Sequence, residues 1–176
     1  MKLALSLLCV VALAACGKAS ETAAEKMIES QISKDGTQAK VDMSGGGMKI
    51  TTTDASGKVS QMEMGTAKVS EADVGLPFYP GTAPKEGAMT RISSPEGTVV
   101  TVVLHSDDSP DKVAGFYRDK LKAQSEGKQF TDMNAGGTQM LMMSDDKTQQ
   151  MTQVTVTKSE SKGSDIQIMA NKGTPK

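Results

Sequence analysis

The residues TVVTVVLHSDDSPDKVAGFYRDKLKAQSEGK, 98–128, predict a strand followed by a helix and decide the fold of this chain. The nearly unbroken aliphatic run of Val99–Leu104 is typical of a strand buried on both faces. Ser109 and Pro110 are the residue types favoured at the N-cap and at the first helical position, so a helix is expected to begin at Pro110. Apolar residues recur along it at helical spacing from Val113 to Leu121, so the helix is expected to run to Gln124, with Gly127 as the C′ residue that closes it.

The flanking sequence predicts further strands and one more helix. Thr22 and Glu25 have capping-box spacing in a predicted helix over Ser20–Ser33. Alternating residues between Ala39 and Met64 predict a three-stranded meander, and strands are also expected near residues 89–92, 129–133, 138–143, 148–157 and 165–170. We therefore predict an α+β fold: an antiparallel sheet with one main helix packed on it, plus a small N-terminal helix and three-stranded meander. The expected divisions are a leader over 1–15, the anchor, helix and meander over 16–72, and an α+β domain over 73–176.

A connector over residues 65–87 contains two adjacent aromatic residues, Phe78 and Tyr79, between prolines. The chain has only five aromatic side chains, and a second pair lies in the predicted helix at Phe116 and Tyr117, so we expect the pairs to meet. Neighbouring residues in an extended loop point opposite ways. We predict that Phe78 is buried and that Tyr79 is exposed, as an anchor for a partner protein.

The amino terminus predicts export. Lys2 precedes an apolar segment, Leu3–Leu13, that is shorter than the roughly 20 residues of a membrane span, as in a signal peptide. Leu13-Ala14-Ala15-Cys16 resembles the lipobox of bacterial lipoproteins. The resemblance implies a palmitate-type lipid anchor on Cys16 and a leader over 1–15, whereas ordinary cleavage after Ala14 is the alternative. Because Cys9 lies in the leader, lipidation also accounts for an otherwise unpaired thiol.

A second resemblance covers Leu76–Leu121. The order Tyr-Pro-Gly, a valine-rich strand, Asp-Asp-Ser-Pro and a helix with Phe-Tyr is similar to a domain of exported bacterial lipoproteins with no assigned activity. The resemblance implies a cell-envelope location. Gly17 departs from the Asp that retains such proteins in the inner membrane, so the periplasmic side of the outer membrane is favoured, although Lys18 weakens that assignment.

Composition excludes one class of partner. The formal net charge is −1, and no basic cluster is present to neutralise phosphates, so no nucleic acid is expected as a partner. We expect the membrane, through Cys16, and an envelope protein as partners.

The sequence assigns no catalytic residue, metal ligand or cofactor. His105 is the only histidine and lies near Asp107 and Asp108, as in a general base or a metal site. No second histidine and no cysteine beyond Cys16 complete a nucleophile pair or a zinc set. We therefore expect no enzyme, with a small hydrolase that uses His105 as an alternative.

Two acidic pairs, Asp107-Asp108 and Asp145-Asp146, lack the ligand spacing of an EF-hand loop. They are predicted to be turn and cap residues.

The chain contains 13 methionines, and some of them have the spacing of a soft-metal site. Met62 and Met64 are two residues apart, as are Met140 and Met142, with Met143 adjacent. Thioethers in this pattern suit Cu(I) or Ag(I), but the same spacing on a strand places apolar side chains on one face of a sheet. We predict that these methionines belong to the core, and that the protein is a non-catalytic binding module whose partner the sequence does not identify. A Cu(I) or Ag(I) binding protein is the alternative.

Overall fold

The structure is a computed structural model that describes residues 16–34 and 36–173, with side chains from residue 20 onward. The predicted leader over 1–15 lies outside the described residues. Three helices and nine strands are present in the described part of the chain. They are α1 (Cys16–Ile32), β1 (Gln38–Asp42), β2 (Met48–Thr53), β3 (Val59–Met64), α2 (Glu71–Val74), β4 (Pro84–Ser94), β5 (Gly97–Ser106), α3 (Pro110–Lys122), β6 (Gln129–Ala135), β7 (Thr138–Asp145), β8 (Gln150–Lys158) and β9 (Ser164–Gly173).

The nine strands form one antiparallel sheet in the order β1-β2-β3-β4-β5-β9-β8-β7-β6. The predicted α+β class and the N-terminal meander are confirmed. Strand β3 continues the sheet by pairing with β4, where Met62 lies opposite Ile92, so the meander and the following strands share one hydrogen-bonded layer. The division of the chain at residues 72 and 73 stays a prediction.

The main core lies on one face of the sheet, and Val41 of β1 is buried on the other face beside α1. Helix α3 packs against β6, β7 and β8, whereas α2 contacts β5 and β9. Val113, Tyr117 and Leu121 of α3 are fully buried, as the predicted apolar stripe requires. We call this side of the sheet the covered face. Its fully buried strand residues are Val102, Leu104, Leu141, Val154, Val156, Ile166 and Ile168.

Strand β5 corrects the expectation of burial on both faces. Val100, Val102 and Leu104 are buried, but the intervening Val99 and Val103 are partly exposed. Alternation of this kind is typical of an antiparallel sheet with one face packed on helices. The valine run therefore reports strand propensity rather than two buried faces.

Helix α1 lies along the edge of the sheet beside β1. Its Glu25 and Glu29 carboxylates accept hydrogen bonds from the backbone N–H groups of Met43 and Val41, each at 2.8 Å, and Ser33 Oγ accepts one from Ala39 at 2.9 Å. A spacing of four residues on the helix thus matches alternate donors on the strand, so the edge is closed by side chains. The helix already includes Cys16, the first described residue, so Thr22 lies inside it and not at its start, and the predicted capping box there is wrong.

Helix α3 begins at Pro110, as predicted, and ends at Lys122, before the expected Gln124. Ser109 occupies the N-cap position but its side chain makes no capping hydrogen bond. Gly127 (φ +70°) belongs to a separate turn, in which Lys128 donates to the Ser125 carbonyl. The helix end is therefore set by this following turn and not by a Gly cap. No described helix is long and apolar enough to cross a membrane.

Candidate functional site

The connector contains a helical turn, α2, that was not predicted from the sequence. It sets the direction in which the chain reaches the aromatic pair Phe78 and Tyr79. Ser70 and Asp73 form a reciprocal capping box, and Gly75 ends the turn in the left-handed conformation at φ +71°. The hydrogen bonds from Ser70, with a smaller contribution from Arg91, lower the pKa of Asp73 to about 2. The chain then runs back across the covered face, where Leu76 and Tyr79 are buried.

Tyr79 and Phe78 exchange the roles predicted for them. Tyr79 is 6% exposed, whereas Phe78 is only partly buried at the margin of the core. The Tyr79 hydroxyl donates a 2.7 Å hydrogen bond to Asp108, which also accepts one from Lys112 at 2.9 Å. These bonds lower the pKa of Asp108, while burial and the adjacent carboxylate raise the pKa of Tyr79. The carboxylate satisfies the hydroxyl, so the ring is buried and Tyr79 is not available as an exposed anchor.

The two aromatic pairs do meet, as predicted. The Tyr79 ring lies edge-to-face against Phe116, with centroids 5.2 Å apart, and Phe116 packs in the same way on Tyr117 at 5.1 Å. The Tyr117 hydroxyl is buried and makes no hydrogen bond of good geometry within the described residues. Burial raises its pKa well above the ordinary range, and the nearby backbone N–H of Tyr79 only partly opposes that rise. This cluster fixes the connector to α3 and serves packing.

His105 lies at the end of β5 in a group of charged side chains. Its Nδ1 is 3.1 Å from Asp165 Oδ1, which also accepts from Lys85 Nζ at 2.8 Å. The hydrogen bond from Lys85, and then that from His105, lower the pKa of Asp165 to about 2. Asp107 is 3.7 Å from the other ring nitrogen. Ser106, the nearest hydroxyl in sequence, points to the covered face and accepts from the Asp108 backbone, so the described contacts give His105 no nucleophile partner.

Two shallow clefts lie beside the connector. One, of about 430 Å³, is lined by His105, Asp107 and Asp108 with the Pro80–Thr82 loop. The other, of about 560 Å³, lies between the connector and β4 beside Asp73 and Met89. Neither encloses a ligand as a small-molecule pocket does.

The second face of the sheet carries the most distinctive surface of the molecule. Strand register places three rows of side chains there, most of them partly exposed and none of them charged. The longest row crosses the eight strands from β2 to β6 in the order of the sheet. We call this second face the open face. Its residues are Met48, Ile50, Met62, Met64, Thr90, Ile92, Val99, Thr101, Val103, Thr131, Met133, Met140, Met142, Met151, Gln153, Thr155, Gln167, Met169 and Asn171.

The prediction that the methionines belong to the core is wrong for four of the five residues named. Met62, Met64, Met140 and Met142 share one face, as their spacing predicted, but that face is the open one and not the core. Met143 is the exception and is buried on the covered face. Strand β7 has apolar residues on both faces, whereas β3 carries Gln61 and Glu63 on the face opposite its methionines, so alternation alone does not identify the face on which a helix packs. The eight methionines of the open face are Met48, Met62, Met64, Met133, Met140, Met142, Met151 and Met169.

The remaining predicted residues behave as follows. Asp145 accepts from the backbone N–H groups of Lys147 and Thr148, as a turn residue does, and Asp146 accepts from Gln129. No group of three or more His, Cys, Asp or Glu residues that could hold a metal ion occurs in the described part of the chain. The side chain of Cys16 lies outside the described residues, so its lipidation stays a prediction.

Comparison with known proteins gives one match. A family model described as START domain-like matches residues 86–165, slightly less than half of the chain. The match runs from β4 to the start of β9 and so includes α3 with the strands on which it packs. No curated protein and no solved structure matches the chain.

Proposed function

We propose that the protein is a lipid-anchored lipoprotein of the cell envelope and that it acts as a non-catalytic binding module through the open face. The observation that carries the proposal is the presence of three uncharged, methionine-rich rows that no described helix covers. The methionine-rich parts of the open face, on β2–β3 and on β6–β7, are apolar patches, and such patches mark interaction sites on soluble domains. Methionine is favoured on surfaces that must adapt to a partner, since its unbranched thioether side chain repacks readily. The START-like match supports a binding role as well.

The dimensions of the open face favour a macromolecular partner. The longest of the three rows crosses eight strands at about 4.8 Å spacing, roughly 38 Å, and the 19 side chains of the face occupy about 600 Å² in projection. About 800 Å² per partner is buried in a standard protein–protein interface. The face is broad and uncharged, so its complement is an uncharged protein surface rather than a small molecule. We infer an envelope protein with such a surface.

Site-specific photo-crosslinking in living cells tests this surface. A benzophenone amino acid at Thr155, in the middle of the open face, should give an adduct of one defined mass, whereas the same probe at Gln61, on the other side of the sheet, should not. The adduct should disappear with Thr101→Arg, which introduces a charge into the face, and persist with the matched change Gln61→Arg. Equal labelling from both probes, or an adduct indifferent to Thr101→Arg, contradicts the proposal. An adduct of twice the protein's own mass would replace the envelope partner by a second copy.

The lipid anchor is tested separately. Cells fed a clickable palmitate should label the wild-type protein, and Cys16→Ser should remove the label and leave the precursor uncleaved. Fractionation of the labelled protein should place it in the outer membrane. Equal labelling of both proteins, or a mature chain that begins at Ala15, would exclude lipidation at Cys16.

A further inference from the structure

Methionine and leucine are segregated in this molecule. All four leucines after residue 16, Leu76, Leu104, Leu121 and Leu141, are buried. Eight methionines instead share the open face, where they are partly or, for Met133, 48% exposed. An apolar surface alone requires no such choice, since leucine and isoleucine supply as much apolar area. The thioether distinguishes these side chains from leucine, and a sulfur ligand is what a soft cation prefers.

Six of these methionines form two groups of the same shape. In the first, Met48 lies directly opposite Met64 on the neighbouring strand, and Met62 is two residues from Met64 on the same face. In the second group, Met133 lies directly opposite Met140. Met142 is two residues from Met140 and completes it. We call these groups the β2–β3 trio and the β6–β7 trio.

The spacing within each trio allows three sulfur atoms to converge. Directly opposed residues have Cβ atoms about 4.5–5.5 Å apart, and residues two apart on a strand are separated by roughly 7 Å. Methionine has three rotatable side-chain bonds, so each sulfur can move several ångströms toward a common point. Partial exposure leaves these side chains free to do so, which close packing on the covered face would prevent.

We propose that each trio binds one soft monovalent cation, Cu(I) or Ag(I), through three thioether sulfurs. Neutral thioethers bind soft cations and offer little to hard ones such as Mg²⁺ and Ca²⁺, which take oxygen ligands. The three rows of the open face contain no carboxylate, and Glu63 and Asp132 of the same strands point to the opposite side. The site chemistry thus selects by softness and not by charge. This inference is independent of the partner proposed above, although both use the open face.

The test is a titration of the full-length protein, extracted in detergent, with Ag(I) and, without oxygen, with Cu(I) against a chromogenic Cu(I) chelator. The wild-type protein should bind two equivalents. The triple variant Met48→Leu/Met62→Leu/Met64→Leu should lose one equivalent, and Met133→Leu/Met140→Leu/Met142→Leu should lose the other. A matched control, Met27→Leu/Met89→Leu/Met143→Leu, changes three methionines outside the open face and should retain both.

Methyl NMR of methionine identifies the ligands directly. Addition of Ag(I) should shift the ε-methyl signals of the six trio residues and leave those of Met89 and Met143 in place. Binding that survives both triple variants, or methyl shifts confined to residues outside the trios, would overturn the proposal. Unchanged melting temperatures of the metal-free variants establish that loss of binding is not loss of fold.

The same variants separate this proposal from the partner surface. Leucine preserves apolar area, so the cross-link at Thr155 should survive both triple variants even when metal binding is lost. Conversely, Thr101→Arg should remove the cross-link, while Ag(I) binding at the trios, which do not include Thr101, should persist.

Discussion

The two faces of this sheet belong to the same strands but carry different side chains. The covered face contains Leu104, Leu141 and Ile166, all fully buried against α3 and the connector. On the open face the alternate positions of β7 hold Met140 and Met142, both partly exposed. Branched side chains with few rotamers specify one packing, whereas flexible methionine accepts several. On the proposals made above, the covered face is packed in one way and the open face accommodates a ligand.

The largest expected effect compares adjacent residues of β7. Leu141→Ala removes a fully buried side chain and should lower the free energy of unfolding by about 3–4 kcal/mol. Met142→Ala, one position along on the open face, should cost less than about 1 kcal/mol because water already reaches the site. Urea denaturation of both variants measures the difference. Similar losses would mean that a partner or a further layer covers the open face in the isolated protein.

A smaller effect distinguishes the two buried tyrosines of the covered face. Tyr79→Phe breaks the bond to Asp108 and should cost about 1.5 kcal/mol, as for a hydrogen bond to a charged group. Tyr117→Phe removes a buried hydroxyl that lacks a well-formed bond, so it should be neutral or stabilising. Thermal melting of the pair checks the sign of each change, and destabilisation by Tyr117→Phe would reveal a partner for its hydroxyl.

Acid should lower the stability of the fold by protonating two carboxylates, one at the margin of each face. Folding lowers the pKa of Asp73 beside the covered face and of Asp165 at the end of the open face, each from 3.8 to about 2. The stabilisation is therefore complete above pH about 4 and is lost as the pH falls toward 2. Allowing for solvent screening, each group should contribute about 1 kcal/mol. Unfolding measured between pH 5 and pH 2 should show a shallower decline in Asp73→Asn and in Asp165→Asn than in the wild type. A slope unchanged in both variants would assign the acid sensitivity elsewhere.

The smallest effect is expected on the open face itself. Met140→Leu conserves volume at a partly exposed site and should change stability by about 0.5 kcal/mol or less. Met143→Leu, three residues along the same strand on the covered face, should cost more because the packed core has less freedom to adjust. Equal and larger losses at both positions would place Met140 in a specific packing environment.

Local signals were sufficient to predict β5, α3 and the meander. Ser109 and Pro110 mark a helix start in any context, and Gly45-Gly46-Gly47 marks a turn, so neighbours in space are not needed. The meeting of the aromatic pairs also followed from their scarcity.

The orientation of Tyr79 and the face of the methionines depend on distant residues. Asp108, which satisfies the Tyr79 hydroxyl, is 29 positions away in sequence, and no local pattern links the two. The helical turn α2 further changes the direction of the connector. Likewise, β7 is apolar on both faces, and only the position of α3 distinguishes Leu141 from Met142. Such choices are made by tertiary packing rather than by local propensity.

Helix α1 limits the distance that the domain can extend from a membrane to which Cys16 is anchored. It is helical from Cys16 and spans 17 residues, about 25 Å, and its far half is hydrogen-bonded to β1. If acyl chains are attached at Cys16, a short helix joins them to the sheet in place of a flexible linker. Such a helix keeps the domain close to the bilayer surface. Binding partners embedded in the same membrane are then present at a high effective concentration. A flexible insert before Ser20 should lower this effective concentration without altering the sheet.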